Sequence, residues 1–362
     1  MKPLTRSFTD KLQYLNAQGE LTQHLPAGLL PERLIEFYKT LVMIRQFDKK
    51  AVALQRTGQI GTYASSLGQE AISVGIGYAM ANNDVLASYY RDHGAQYLRG
   101  VKLHQLLQYW GGDERGNIYT GNAKEDLPNC VPIATQMTHA AGIASAFKIR
   151  GERRAVVATC GEGATSRGDF YEAMNVSGVW QLPMVMVVNN NHWAISVPRD
   201  LQTGAFNIAA KAQAAGIEGI WVDGNDIIAV YTAVAHALKK ARMGKGATLI
   251  EAESYRLCDH TTADDATRYR DAAEVNQAWE EEPIKRLQTY LHNQGLWSPT
   301  AETDWLRHCQ QTIEAEVSEY LSIPPQDPHE LIDYLYEELP YAYQKQRAEL
   351  IAKAAGGSHH GH

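Results

Sequence analysis

From Pro31 onward the chain becomes periodic. Leu34, Phe37, Tyr38, Leu41, Val42 and Ile44 recur at three- and four-residue steps, the apolar stripe of one helix face. Pro31 suits that helix's first turn, where its missing N–H would have no partner anyway. Residues 1–30 are polar with few periodic apolar positions and read as an N-terminal arm. A glycine- and serine-rich connection, TGQIGTYASSLG, spans 57–68, and helical patterning returns from Gln69 to Met80. Val85 to Tyr90 reads as a short strand running straight into Arg91-Asp92-His93-Gly94. Residues 111–130 form a long polar loop, uncommon inside a compact domain and often functional where it occurs. A helix rich in small residues follows, from Thr135 to Lys148.

The middle of the chain alternates. Strands are predicted at 153–159, 184–188, 219–222 and 248–253, with helices at 169–180, 206–215 and 226–242 between them. Short apolar strands separated by helices imply βαβ units and a parallel sheet. Another long polar loop occupies 254–270. Beyond it the pattern is helical near 274–294 and 301–321, stops at Ile323-Pro324-Pro325, and resumes in an amphipathic stretch near 328–338. The fold class is therefore α/β: a mostly parallel sheet with helices on both faces, an arm at 1–30, a single domain over 31–355 with a helical C-terminal extension, and a tail. That tail, GGSHHGH at 356–362, has the composition of a purification-tag remnant.

Composition narrows the function. The chain has 362 residues, 44% hydrophobic and 21% charged, ordinary for a globular protein. No apolar run approaches the roughly 18 residues a membrane helix needs, and the start, MKPLTRSFTDKLQY, carries no apolar signal region. A net charge of −7 argues against nucleic acid as partner, which would demand a basic face. The cysteines, Cys130, Cys160, Cys258 and Cys309, are scattered and form no CxxC pair, so neither a zinc site nor a disulfide framework is expected. These features predict a cytoplasmic protein.

The chemistry concentrates at strand ends. In an open parallel sheet, ligands bind outside the carboxyl ends of the strands. Gly161-Glu162-Gly163 follows one predicted strand and Asn189-Asn190-Asn191 the next. Flanking glycines allow close approach of a ligand, and a carboxylate beside amide and carbonyl oxygens suits Mg²⁺ bridged to a diphosphate. A dinucleotide fingerprint would require a third glycine at Ser166, where there is none, and no GK[ST] ends a Walker loop. An isolated GEG is most often a plain turn; the asparagines one βαβ unit later change that reading.

The spacing of Gly161-Glu162-Gly163 from Asn190-Asn191, with residues 164–189 between, resembles the thiamine-diphosphate motif. The stretch DFYEAMNVSGVWQLPMVMVVNNNHWAIS is similar to the α subunit of the decarboxylating first component of 2-oxo acid dehydrogenase complexes. The similarity runs from about residue 30 to 350. It includes SYYRDHG at 88–94, VPIATQ at 131–136 and YRLCDHTTADD at 255–265, ending in Tyr269-Arg270.

That resemblance implies a thiamine-diphosphate-binding fold and a division of labour. Glu162, Asn191 and the Trp193 carbonyl would hold Mg²⁺. Tyr90 and Arg91 would meet the diphosphate, Arg91 through charge-assisted bonds. Val131, Ile133, Gly161, Gly163 and Ala164 would line the cofactor, and His260 would both touch it and act as the catalytic histidine. Pro132, Thr135 and Gln136 stand where some members hold K⁺. One position departs: some relatives carry a phosphate-binding arginine where this chain has Asn189. Charge is then left to Mg²⁺, Arg91 and His260, with Arg256 a further candidate. Asp259 is expected to orient His260 or raise its basicity. Each has a plainer alternative: for Arg91 a surface ion pair with Asp92, for Ile133 ordinary core packing, and for Asn191 a turn residue.

The implied reaction is oxidative decarboxylation of a 2-oxo acid with transfer of the acyl group to a lipoyl group on the acyltransferase component. No segment resembles the β subunit, which supplies a further catalytic glutamate, so an α2β2 assembly is expected, with no nucleic acid and no membrane. ADDATRYR and NNNHWAISVPRD are similar to bacterial pyruvate dehydrogenase α chains; branched-chain and acetoin relatives share most motifs. Thr261 occupies the place of a regulatory phosphoserine in animal relatives, and no such regulation is expected here. Two readings from other classes are weighed against it: a scaffold α chain without turnover, which the intact Glu162, Asn191, Arg91 and His260 argue against, and a dinucleotide-dependent oxidoreductase, which the failed G-x-G-x-x-G spacing argues against.

Overall fold

A computed structural model of the chain describes residues 10–355; the tag-like tail at 356–362 lies outside the described residues. Helix α1 (Pro31–Arg56) opens on proline at its first position and buries Leu34, Phe37, Tyr38 and Leu41, as its stripe requires. It is followed by α2 (Glu70–Ala79), β1 (Val85–Tyr89) and two helices absent from the sequence reading, α3 (His93–Leu98) and α4 (Leu103–Trp110). The polar stretch 111–130 is not all loop: its end forms β2 (Leu127–Cys130), paired in parallel with β1 at the sheet edge. Pro128 and polar neighbours hide it from a propensity reading, and an edge strand tolerates both.

Then come α5 (Thr135–Arg150), β3 (Val156–Gly161), α6 (Gly168–Val179) and β4 (Met184–Asn190). The expected loop at 189–204 contains a small antiparallel hairpin, β5 (Trp193–Ala194) with β6 (Val197–Pro198). The helix expected at 206–215 is reduced to 3-10 turns at Ala209–Ala215. Strand β7 (Glu218–Asp223), helix α7 (Ile227–Arg242) and strand β8 (Thr248–Glu253) complete the sheet. Its order is β2-β1-β3-β4-β8-β7, parallel throughout.

The alternation of strand side chains divides the interior in two. Val157, Val185, Val187, Val222 and Ile250 face a core shared with α1, α2 and α7. Val156, Ala158, Met184, Met186, Val188 and Leu249 face the opposite core, under α5 and α6. Because both faces are covered, the strands read as continuous apolar runs. The described part of the arm, from residue 10, is also tied down. Leu12 pairs in parallel with Val222 of β7, and Leu12 and Leu15 are buried. Asp226 accepts the Tyr14 and Leu15 N–H groups while capping α7 at Ile228 and Ala229.

The C-terminal part is helical but differently divided. The stretch near 274–294 is two helices, α8 (Ala272–Glu280) and α9 (Pro283–Asn293). Pro283 cannot continue the first, and the Glu282 carboxylate caps the second. Helix α10 (Pro299–Ser322) is capped by Ser298. The amphipathic stretch near 328–338 yields one turn, α11 (Glu330–Asp333), and a further helix, α12 (Tyr341–Ala355), follows Pro340.

Candidate functional site

The ends of β1, β3 and β4 converge at the carboxyl edge of the sheet, where β2 also ends. Between them lies a cavity of about 210 Å³. Its lining includes Tyr90, Arg91, Ile133, Gly161, Glu162, Gly163, Ala164, Asn191, Trp193 and His260. Segments as distant as 90 and 260 meet because β8 returns beside β4, delivering the 254–270 loop to the same edge. Val131, expected beside the cofactor, does not line the cavity and is 55% exposed. Its neighbour Cys130 takes the inward place, since successive residues leaving a strand point to opposite sides. Tyr89, Cys130, Ala134, Cys160, Ala194 and Ile195 line the cavity without having been foreseen; small or apolar types carry no sequence signal that separates lining from core.

Glu162 is the central feature. Its side chain is 3% exposed. One carboxylate oxygen, Oε2, accepts the Asn191 N–H at 3.3 Å; the other, Oε1, has no partner among the described residues. Burial pushes this carboxyl above its ordinary range. An anion with an open lone pair in a dry site is unfavourable unless a cation meets it. Asn191 presents the amide oxygen that accepts Trp193 N–H at 3.2 Å. The Trp193 carbonyl accepts Arg256 Nη1 at 3.3 Å and retains a second lone pair. One carboxylate, one amide and one carbonyl form a hard-oxygen set that fits Mg²⁺ completed by phosphate and water. Among the described residues there is no cluster of three His, Cys, Asp or Glu side chains suited to a softer metal.

The three asparagines act differently. Asn190 is directed away, donating to Glu251 Oε1 at 2.7 Å. Asn189 donates to Gln69 Oε1 and to the Tyr89 hydroxyl, both at 2.7 Å, and accepts from Ser254 Oγ at 2.9 Å. Asn191 donates to the same Gln69 oxygen at 2.9 Å. Gln69 is thus a buried anchor for two of the three. It sits at the start of α2, where sequence shows only another polar residue near a helix terminus.

Backbone strain gathers here too. Ala134, His192 and Ile195 adopt left-handed φ values of 69°, 68° and 55°, conformations that cost energy without glycine and cluster at functional sites. Gly163 is required for another reason: a Cβ there would lie 2.6 Å from the Ala194 Cβ of the hairpin.

His260 sits between two guanidinium groups. Its Nδ1 is 3.2 Å from Arg91 Nη2 and 3.4 Å from Arg256 Nη1. Both neighbours only donate, so Nδ1 accepts and the ring proton belongs on Nε2. Burial, then the charges of Arg91 and Arg256, push this imidazole down to about 4. This corrects the expectation for Asp259, which is exposed and accepts the Ala266 N–H instead. The carboxylate that holds the histidine segment is Asp264, accepting the His260 backbone N–H at 2.8 Å and the Tyr269 hydroxyl. Arg256 donates to the carbonyls of Trp193, Ile195 and Cys258 and to Tyr269. It braces the hairpin and the loop, leaving Arg91 as the guanidinium at the cavity wall. Arg91 is itself fixed by the carbonyls of Ser65 and His260.

Gln136 donates to the Thr159 carbonyl at 2.7 Å, while its buried Oε1 has no partner among the described residues. No helix among the described residues is long and apolar enough to cross a membrane.

Residues 38–329 match the family model described as dehydrogenase E1 component. The chain is 41% identical to the 3-methyl-2-oxobutanoate dehydrogenase subunit alpha of Mycobacterium tuberculosis, over 90% of this chain and 89% of that one. It is 36% identical to the pyruvate dehydrogenase E1 component subunit alpha of Bacillus cereus, over 96% and 93% of the two chains. The Staphylococcus aureus protein of that name is 35% identical over 94% and 93%.

Proposed function

Because the chain belongs to the dehydrogenase E1 component family, whose members depend on thiamine diphosphate, we propose that it binds that cofactor with Mg²⁺ at the Glu162 cavity and catalyses oxidative decarboxylation of a 2-oxo acid, pyruvate in the first instance. The observation that carries this reading is the buried Glu162 with its unpartnered Oε1, beside Asn191 and the Trp193 carbonyl.

Bound thiamine diphosphate supplies the nucleophilic carbon and the electron sink. The chain's own groups do the rest. Glu162, Asn191 and the Trp193 carbonyl hold the metal; Arg91 and Tyr90 face the diphosphate. His260, neutral at physiological pH because of burial and its two guanidinium neighbours, presents an Nε2–H that can donate a hydrogen bond to an anionic oxygen during acyl transfer. Ile133, Gly161, Gly163 and Ala164 shape the wall, and the free Gln136 oxygen supports a K⁺ site with Pro132 and Thr135. A β subunit completes the site in an α2β2 assembly, and a lipoyl-bearing acyltransferase takes the acyl group; the protein works in the cytoplasm.

A second substrate is favoured by the 41% identity to the mycobacterial chain: 3-methyl-2-oxobutanoate. The test is dye reduction by the chain co-purified with its β-type partner, with each acid, with and without thiamine diphosphate and Mg²⁺. Turnover that needs both supports the function, and the larger kcat/KM identifies the acid. Cofactor-independent turnover, or none with any 2-oxo acid, overturns it.

A further inference from the structure

The cavity wall offers a diphosphate one guanidinium, that of Arg91. Asn189 adds no free donor beside it. Both of its amide hydrogens are taken, by Gln69 Oε1 and by the Tyr89 hydroxyl oxygen, and its Oδ1 accepts from Ser254. What it does is load the Tyr89 oxygen from one side. The phenol is 4% exposed, and its hydroxyl hydrogen has no acceptor among the described residues. A buried O–H without an acceptor is costly, and this one belongs to a residue of the cavity wall. Strand register puts it close to the metal-binding turn: Asn189, which touches the hydroxyl, lies directly opposite Gly161.

We infer that the Tyr89 hydroxyl is a diphosphate-binding donor, aimed by Asn189 and Gln69. The inference rests on the thiamine-diphosphate reading above. Accepting a hydrogen bond from Asn189 polarises the phenol and strengthens its own O–H as a donor. Burial and the nearby Asp92 hold its proton well above the ordinary tyrosine range, so it remains a donor at every physiological pH. The arrangement supplies an oriented neutral donor, leaving Mg²⁺ and Arg91 to balance the charge.

The test is Tyr89→Phe, which removes one oxygen and keeps the ring. In the complex with the β-type subunit, with Mg²⁺ present, the Kd for thiamine diphosphate should rise at least about tenfold, as expected for losing a hydrogen bond to a charged group. The Kd for thiamine, which has no phosphate, should stay within about twofold of the wild type. The melting temperature without ligand should fall modestly, because Asn189 loses the acceptor of one buried amide hydrogen. Equal diphosphate binding by variant and wild type overturns the assignment. So does a variant that loses thiamine and thiamine diphosphate in the same proportion, which would mark a role in packing alone. Failure of the wild-type complex to bind thiamine diphosphate is a different result; it removes the underlying function and this inference with it.

Discussion

Two buried glutamates differ in what surrounds them. Glu70, at the start of α2, is fully buried, and each of its oxygens is used. Arg45 Nε donates to Oε1, and Arg45 Nη2 and the Gly68 N–H donate to Oε2 at 3.1 and 3.0 Å. Arg45 also reaches Glu282 at 2.8 Å. Glu162 is almost as deeply buried, yet one of its oxygens has no partner among the described residues and the other meets only a backbone N–H. A buried acid with a complete set of donors holds the fold together. A buried acid with an open oxygen, at a strand end, beside left-handed backbone, is suited to a cation that the chain itself does not supply.

The largest expected effect follows from breaking the open member. Glu162→Gln should lower the activity of the complex with the β-type subunit by about a thousandfold or more, on the scale of losing a required metal ligand, and abolish the rise in melting temperature expected of the wild type with Mg²⁺ and thiamine diphosphate. Without ligand the variant should melt at or above the wild type, since an uncompensated buried charge has gone. A variant that keeps its ligand-induced shift would refute the metal role.

Glu70→Gln should do the converse. Removing one partner of a buried pair leaves the other uncompensated, at about 3–5 kcal/mol; with Glu282 still near Arg45, the lower end of that range is expected in urea unfolding. The ligand-induced shift should survive at temperatures where the protein folds. If Glu70→Gln erased the shift and left stability intact, the contrast between the two acids would be wrong.

Acid should strike the paired region more gently but measurably. His93 is enclosed by Tyr63 and Trp110, with Trp110 Nε1 donating to its Nε2 at 3.3 Å, and burial pushes it down to about 4. Below its ordinary value of about 6.5 the unfolded chain takes up a proton that folded His93 refuses. Stability from this group is therefore full above about pH 6.5 and declines as pH falls toward 4, by about 2 kcal/mol at about pH 5. His93→Gln should remove that part of the slope in unfolding measured at neutral pH and again near pH 5. An unchanged slope would mean His93 takes up its proton freely.

Much of the architecture could be read from the chain. Apolar runs bounded by turns signalled the strands because both faces of a parallel sheet are covered: Met184-Val185-Met186-Val187-Val188 serves two cores at once. Pro31 marked the start of α1, and the helix start expected at 226 falls on Asp226, the cap of α7. Edge strand β2 is illegible, since an edge needs no apolar run, and the helical period across 274–294 masks the break that Pro283 imposes. At the site, residue types with chemistry of their own, such as Glu162, Arg91, Asn191 and His260, stood out. Gln69, Tyr89 and Asp264 did not, because their importance lies in which atom each one touches.

By itself, then, the sequence determined the succession of strands and helices, the parallel character of the sheet, and the glycine-flanked acid followed by asparagines at neighbouring strand ends. These depend on local periodicity and on residue chemistry, both written along the chain. Only the tertiary structure decided which partners each buried group receives: that Asp264 rather than Asp259 holds the histidine segment, that Arg256 braces backbone while Arg91 faces the cavity, that Asn189 turns to Tyr89 and Gln69, and that Glu162 keeps an oxygen free. Hydrogen bonding and desolvation act over a few ångströms in space, here between Arg91 and His260, 169 positions apart in the chain, and no spacing rule along the sequence encodes those distances.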